Sequence, residues 1–377
     1  IYKPVLLITV LIIAAAGAVA GVAFSREISI VPSSTKISFS LYAKIEEGIA
    51  LLKTSPSLEY TADERQEVAL AILDTKTGVV FEKRIVITPD GELLFSEVSI
   101  TVKWWNSFNS FFEIPDQPSW IIVANKFLVE RQYLPEQTTL SLASGAPTSK
   151  YTDMVYAPYS AFLHTPEVVA AGVAYINERA SAAFQELKDA RVESQAVPGK
   201  LVTDVVPLDL VKNIVLVEHV DPGWLLLSDD GGKMLAERTL VIIGANREWA
   251  YRYTNSKAGA NGMAQFIKPT YDLMVERYPA ARLIQDHNFG MADHTNAFKV
   301  IALLFDNETA TIQNLTNVIP TRQMLAAAYN GGSTRVIRSI KKSGPDWQTS
   351  DIFRPETLDY IKKYEMIAKL GIFSRYE

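Results

Sequence analysis

The chain has 377 residues, of which 48% are hydrophobic and 21% charged, so it has the composition of a folded protein and the length of two domains. Its net charge of -5 argues against nucleic acid as a partner, because phosphate binding needs Lys and Arg clustered on one face. The absence of cysteine excludes disulfides and thiolate metal sites. The four histidines lack the spacing of a ligand set, so no metal site is predicted.

A segment without charged residues is the first feature along the chain. It runs from Pro4 to Phe24 and is long enough to cross a hydrocarbon core roughly 30 Å thick as one helix. We therefore expect a transmembrane helix within residues 1–24 and contact with a membrane through residues 4–24. The small residues at 18–23 leave a second interpretation open, a signal segment that is cleaved after export. Either interpretation places the remaining chain on the periplasmic or extracellular face of the cytoplasmic membrane.

Residues 37–160 have the pattern of a small α+β domain whose role the sequence does not indicate. Two runs rich in β-branched and aromatic residues occupy 79–87 and 93–105. The residues Thr88–Gly91 between them include Pro, Asp and Gly, which favour a tight turn. The pattern therefore predicts a β-hairpin.

The rest of the chain has a helical pattern. Residues 161–206 are predicted to form a connector, most of it one Ala-rich helix from Pro166 to Glu193. Residues 207–377 predict an all-α domain. Its predicted helices are 208–220, 232–253, 268–278, 294–307, 322–329, 334–343 and 355–370. The expected fold class is thus α+β, with an N-terminal transmembrane helix, a small α+β domain and a C-terminal all-α domain.

Three short strings in the all-α domain carry residues suited to binding a polymer. They are Ser256–Gln265, Ala328–Gly332 and Pro355–Tyr360. In the first string, Gly259, Ala260 and Gly262 remove side-chain bulk where a sugar would need to lie. Gln265 can then hydrogen-bond a hydroxyl or acetamido group. A Gly-rich loop that closes onto a helix is the simpler alternative for this string.

Together the three strings resemble the soluble lytic transglycosylase domain of the lysozyme-like superfamily. That domain has a helix ending in Glu, then S-x-x-G-A-x-G-x-x-Q, then A-Y-N-x-G, then E-T-x-x-Y, and the order here is the same. The resemblance covers roughly residues 207–377. It implies a lysozyme-like fold, a groove for the N-acetylmuramic acid and N-acetylglucosamine units of peptidoglycan, and catalysis without a cofactor.

The resemblance also implies roles for the residues of the strings. Tyr329 and Asn330 would position the sugar or its oxocarbenium-like centre, and Glu356 would tie the last helix to the site. The other substrate-binding residues that it implies are Ser256, Gly259, Ala260, Gly262, Gln265 and Tyr360.

Two glutamates compete for the role of catalytic acid. Glu248 lies close to the family's spacing from the Gly-Ala string, but Arg247 beside it would favour the charged carboxylate. Glu218 ends the apolar run Ile214–Val217, and an apolar setting raises the pKa of a carboxyl so that it keeps its proton near neutral pH. The family's helix also runs into its glutamate through apolar residues. We therefore predict Glu218 as the acid and Glu248 as the alternative, although His219 stands where the family has Ser and a further helix is inserted.

The resemblance implies a reaction that needs one carboxyl group. The glutamate protonates the glycosidic oxygen and then deprotonates the muramyl 6-hydroxyl, which gives a 1,6-anhydro product without water as the nucleophile. Ordinary glycosidases need a second carboxylate. Asp221 is a candidate for it, with a helix cap as the simpler interpretation. A lysozyme-type hydrolase and a non-catalytic peptidoglycan-binding or scaffold protein are the alternative functions.

Overall fold

The computed structural model describes residues 39–59, 65–130 and 150–375. Within these ranges, no helix combines the length and the apolar character that crossing a membrane requires. The expected fold class, with its transmembrane helix, is therefore corrected to a mixed α+β fold. The expected membrane contact through residues 4–24 stays a prediction. The segment 4–24 itself lies outside the described residues.

Contacts between residues divide the chain into two compact units. Of the described residues, one unit contains 39–59, 65–129 and 152–163, and the other contains 130, 150–151 and 164–375. The helix that the sequence predicts as part of a connector belongs to the second unit. The domain boundaries expected at 160 and 206 stay predictions.

The first unit contains a five-stranded sheet with a helix packed on it. Its elements are α1 (Leu41–Thr54), β1 (Gln66–Asp74), β2 (Val79–Ile87), β3 (Leu93–Ser96), β4 (Thr101–Trp104), β5 (Phe111–Glu113), β6 (Trp120–Glu130) and β7 (Tyr151–Tyr156). The strand order is β3-β2-β1-β6-β7, and β1 pairs antiparallel with both β2 and β6. Helix α1 approaches the sheet at Gly48, where a Cβ atom would lie 2.7 Å from Cγ2 of Val123. The centre of the sheet is therefore buried under α1.

The predicted hairpin is present with one difference in its second strand. β2 and β3 pair across the turn that contains Gly91, whose φ is 87°. β3 ends at Ser96, because the Ser96 hydroxyl donates to the carbonyl of Val98 and accepts from its N–H, a local turn that competes with strand pairing. Residues 101–104, predicted to continue the same strand, form β4 and pair with β5.

The second unit is built from helices. They are α2 (Pro166–Asp189), α3 (Val202–Val205), α4 (Leu208–His219), α5 (Pro222–Leu226), α6 (Lys233–Asn246), α7 (Lys268–Arg277), α8 (His287–Ala292), α9 (His294–Thr316), α10 (Arg322–Gly331), α11 (Ser333–Ser343), α12 (Pro355–Leu370) and α13 (Ile372–Arg375). Helix α9 is buried along most of its length. Helices α2 and α6 approach closely at Gly172 and Gly244, where Cβ atoms would lie 2.1 Å from the Leu240 carbonyl oxygen and 2.4 Å from that of Val168.

The end of α4 sets the position of the candidate acid. Every residue from Leu210 to Val217 is buried, whereas Glu218 and His219 in the last turn are half-buried. The helix ends where the N–H of Val220 bonds to the Leu216 carbonyl. Asp221 then caps α5, because its carboxylate accepts from the N–H of Trp224 at 2.9 Å. Glu218 therefore occupies the last turn of a buried helix, directly before a sharp change of direction.

Candidate active site

Glu218 is half-buried in the last turn of α4 and receives a hydrogen bond from α12. The Tyr360 hydroxyl donates to Oε1 of Glu218 at 2.5 Å. Burial raises the pKa of the Glu218 carboxyl, while the Tyr360 hydrogen bond and the charge of Lys363 act in the opposite direction with smaller effect. This carboxyl thus keeps its proton to a higher pH than an exposed glutamate does, as a general acid requires.

The Gly-Ala string forms a closed loop between α6 and α7. The N–H of Ser256 donates to the Ala260 carbonyl at 2.9 Å, and the Ser256 hydroxyl accepts from the Ala260 N–H at 3.0 Å. Asn261 makes bridge pairings with both Asn255 and Phe266. Ser256 therefore closes the loop upon itself, and the loop has a fixed shape.

Two adjacent carbonyls attach this loop to the ends of two helices. His219, next to Glu218 on α4, donates from Nε2 to the Met263 carbonyl at 2.9 Å. The Tyr329 hydroxyl, near the end of α10, donates to the Ala264 carbonyl at 2.5 Å. A carbonyl can only accept, so both side chains are donors here. The loop, the Glu218 end of α4 and the Tyr329 end of α10 are thus held together.

The His219 ring is neutral in this arrangement. Burial lowers the pKa of His219 to about 3, and the hydrogen bond to Met263 compensates only in part. The ring also stacks on Tyr251, with centroids 3.7 Å apart and planes 15° apart. His219, which stands where the resembling family has Ser, therefore fastens the loop rather than carrying charge.

Tyr329 and Tyr360 lie side by side at the site. Their ring centroids are 6.4 Å apart and their planes are 16° apart. Burial and the charge of Glu218 both raise the pKa of Tyr329 and of Tyr360 well above the ordinary tyrosine value. Both hydroxyls therefore remain protonated donors at neutral pH. Tyr329 is held in place by contacts with the rings of Phe266 and Phe305.

The three small residues of the loop have different surroundings. Gly259 is exposed, with a φ of 78° and open space where a Cβ atom would be. Ala260 is buried. Gly262 has a φ of 68°, and a Cβ atom there would lie 2.3 Å from the Met291 carbonyl oxygen. The missing side chain at Gly262 thus allows close packing against Met291, whereas Gly259 lies at an open surface. Access for a sugar at Gly262 stays a prediction.

Gln265 bonds within its own turn. The residue is half-buried and has a left-handed backbone with a φ of 51°. Its side-chain amide donates to the Gly262 carbonyl at 2.7 Å. The amide oxygen of Gln265 remains the part of this side chain suited to accept from a sugar hydroxyl or acetamido N–H.

The other residues of the last two strings lie at the junction of α10 and α12. Asn330 is exposed, and its amide oxygen accepts from the Thr357 hydroxyl at 2.9 Å. Glu356 is exposed in the first turn of α12. The bond that ties α12 to α10 therefore comes from Thr357, next to Glu356.

Glu248 has a different setting from Glu218. It is exposed on a short 3₁₀ turn, Arg247–Trp249, that follows α6. Arg247 pairs with Glu178 at 3.4 Å and stacks over Tyr175. The structure thus groups Glu218, the loop, Tyr329 and Tyr360 through direct hydrogen bonds, and these bonds do not include Glu248.

Sequence reasoning did not single out Lys363. It is buried on α12, three residues after Tyr360, and its ammonium nitrogen lies 5.8 Å from the centre of the Tyr360 ring. The available signal is its helical spacing, because residues three apart lie on one face of a helix. Among the described residues, no group of three or more His, Asp or Glu side chains is arranged to hold a metal ion.

No protein-family model, curated protein or solved structure matches this chain. The resemblance to lytic transglycosylases therefore rests on the three strings and on the glutamate that precedes them.

Proposed function

We propose that the second unit is a peptidoglycan lytic transglycosylase domain that cleaves the β-1,4 bond between N-acetylmuramic acid and N-acetylglucosamine, with Glu218 as its acid and base. The observation that carries this proposal is the hydrogen bond from Tyr360 to Glu218. It joins the glutamate that ends an apolar helix to the tyrosine of the E-T-x-x-Y string, although 142 residues separate them. Peptidoglycan lies outside the cytoplasmic membrane, so the domain would act there.

The reaction would begin with proton donation from Glu218. Burial favours the protonated carboxyl, which would transfer its proton to the glycosidic oxygen as the bond to C1 of the muramyl residue breaks. The leaving sugar departs with a free hydroxyl, and positive charge develops at C1. The negative charge left on Glu218 would be stabilised by the Tyr360 hydroxyl, which already donates to Oε1.

The same carboxylate would then act as a base. It would accept the proton of the muramyl 6-hydroxyl while that oxygen bonds to C1, which closes a 1,6-anhydro ring and returns Glu218 to its protonated form. No water enters and no proton is gained or lost overall. This scheme needs one carboxyl group. Asp221, the candidate for a second, binds the N–H of Trp224 as a helix cap.

Digestion of purified peptidoglycan tests the proposal directly. The 377-residue chain is incubated with insoluble glycan, and the released fragments are identified by mass spectrometry. We expect 1,6-anhydromuropeptides. Fragments with reducing ends would identify a lysozyme-type hydrolase, and binding to the glycan without release would identify a non-catalytic binding or scaffold protein.

A further inference from the structure

We propose that Lys363 is a positioning residue of this site, whose buried ammonium group stabilises the carboxylate that Glu218 becomes when it gives up its proton. The inference rests on the proposed role of Glu218 as the acid. It concerns a residue outside the three strings that carry the family resemblance.

The burial of Lys363 needs an explanation. Only 6% of its surface is exposed, and lysine is seldom buried unless its charge is compensated. The adjacent Lys362 shows the ordinary arrangement, since it is exposed and pairs with Asp359 at 3.3 Å on the surface. The two lysines share one helix, so the general basicity of α12 does not account for the buried one.

The ammonium group of Lys363 lies over the ring of Tyr360. Tyr360 and Lys363 are three residues apart on α12 and therefore share a face of the helix. The nitrogen lies 5.8 Å from the centre of the Tyr360 ring, and the Tyr360 hydroxyl reaches Oε1 of Glu218 at 2.5 Å. α12 thus carries the hydroxyl donor to Glu218 and, beside the ring of that donor, a buried cation.

Charged and titratable groups on the elements packed around Lys363 and Glu218 affect the pKa values of both side chains. Burial lowers the pKa of Lys363, and the carboxylates of Glu218 on α4 and Asp221 before α5 act against that shift. The charge of Lys363 in turn lowers the pKa of Glu218 and of His219. Both tyrosines near Glu218 are neutral: Tyr360 on α12 donates to Glu218, and Tyr329 on α10 donates to the Ala264 carbonyl.

Helix α6 acts on the tyrosine that stacks on His219, not on Glu218 itself. Arg238 and Thr239 act on Tyr251, which stacks on His219. The cation that acts directly on Glu218 therefore comes from α12.

A positive charge near Glu218 would assist the proposed reaction. Burial alone would hold the proton on Glu218 too firmly, and a general acid works best when its pKa lies near the operating pH. A fixed ammonium group in a poorly hydrated wall stabilises the negative charge that develops as the proton leaves, without reorganisation at that moment. The Asp221 carboxylate also interacts with the Lys363 ammonium group. This second interaction limits the effect of the ammonium group on Glu218, so the Glu218 carboxylate stays basic enough to recover a proton.

The first test measures the pH dependence of anhydromuropeptide release in Lys363→Met, with Lys362→Met as the matched control on the same helix. We expect kcat to fall about tenfold in Lys363→Met with KM changed less than about twofold, because the acid is weaker while the glycan contacts remain. The basic limb of the profile should move to higher pH, since Glu218 loses its proton later without the cation. Lys363→Arg should restore much of the native profile, and Lys362→Met should match the native chain.

The second test needs no activity and therefore separates this inference from the proposed function. The titration of the Glu218 carboxyl is followed by NMR in the native chain and in Lys363→Met, with the signal assigned by its loss in Glu218→Gln. The midpoint should rise in Lys363→Met. A folded Lys363→Met chain with an unchanged midpoint would overturn the inference, even if the native chain releases anhydromuropeptides.

The coupling can also be measured from the lysine, which covers the case in which Lys363→Met does not fold. Coupling between two sites is reciprocal, so the near-isosteric change Glu218→Gln should lower the titration midpoint of the Lys363 ammonium group. An unchanged lysine midpoint in a folded Glu218→Gln chain would reject the inference. A native chain without any glycan cleavage would reject the proposed function while both titrations remain informative.

Discussion

Two helices of the second unit lead to the competing glutamates, and their ends differ in what surrounds them. α4 carries Glu218 in its last turn, where Tyr360 bonds to the carboxyl and His219 fastens the Gly-Ala loop. α6 ends at Asn246, and the left-handed backbone of Arg247, with a φ of 50°, is followed by the exposed Glu248. The comparison teaches that two glutamates which the sequence leaves as rivals differ in what packs around them, a difference that spacing along the chain does not show.

The largest expected effect distinguishes the two ends directly. Glu218→Gln removes the proton donor with almost no change in shape, so anhydromuropeptide release should fall about 1,000-fold or more. Glu248→Gln, at the exposed end, should stay within about twofold of the native rate. Release is quantified by chromatography of digested peptidoglycan. Full activity in Glu218→Gln with loss in Glu248→Gln would reverse the comparison.

A second prediction concerns the loop that is attached to the Glu218 end. Gly262→Ala should lower the free energy of unfolding by about 2–4 kcal/mol, because a Cβ atom would meet the Met291 backbone and the φ of 68° disfavours any side chain. Gly259→Ala, with a similar φ but open space, should cost about 1 kcal/mol. Urea denaturation measures both. Equal costs would mean that packing against Met291 contributes little.

A third prediction removes the hydrogen bond that distinguishes Glu218 from Glu248. Tyr360→Phe should reduce kcat about tenfold, since a hydrogen bond to a charged group contributes about 1.5 kcal/mol or more. The basic limb of the pH profile should shift upward, because that hydrogen bond lowers the pKa of Glu218. Tyr364→Phe, four residues later on α12, serves as the control. A Tyr360→Phe profile that coincides with the native one would show that the bond does not assist the acid.

A fourth prediction concerns the pH dependence of stability. His219 and His294 have pKa values of about 3 in the folded chain, against an ordinary 6.5. Between these values the unfolded chain binds more protons, so stability falls as pH decreases from 6.5 toward 3, by up to about 1.4 kcal/mol per pH unit for each ring. The raised pKa of Glu218 has the opposite sign, because stability then falls as pH rises above 4.5.

A Glu218→Gln background removes the opposing contribution of Glu218. In that background, His219→Asn should flatten the dependence of the unfolding free energy on pH, measured by urea denaturation across the window. An unchanged slope would show that the loss of stability at low pH arises from groups other than His219.

The burial of the helix before Glu218 can be predicted from the sequence, whereas the contacts that complete the site cannot. An uninterrupted apolar run indicates a buried helix, and Leu210–Val217 are indeed buried. The hydrogen bonds of His219 and Tyr329 go to backbone carbonyls of Met263 and Ala264, and a backbone carbonyl has no signature in a sequence. The burial of Lys363 likewise depends on which face of α12 packs inward.

The sequence predicts some helix ends correctly and misses others. α12 begins at Pro355 and ends at Leu370, as predicted from its proline and the following Gly371. α6 stops at Asn246 instead of Tyr253, since neither Gly nor Pro announces the left-handed Arg247. α9 continues to Thr316 instead of ending near Asn307, and it ends where Asn317 adopts a left-handed backbone with a φ of 58°.

The separation between Glu218 and Tyr360 along the chain has a consequence for biosynthesis. Ribosomes add about 5–20 residues per second, so roughly 7–28 s pass between the emergence of these two residues. During that interval α4 can form, but the wall that supplies the hydroxyl and the ammonium group has not been made. Glu218 therefore acquires its hydrogen bond from Tyr360 and the nearby Lys363 only when α12 docks, and a nascent chain that stalls before α12 lacks both.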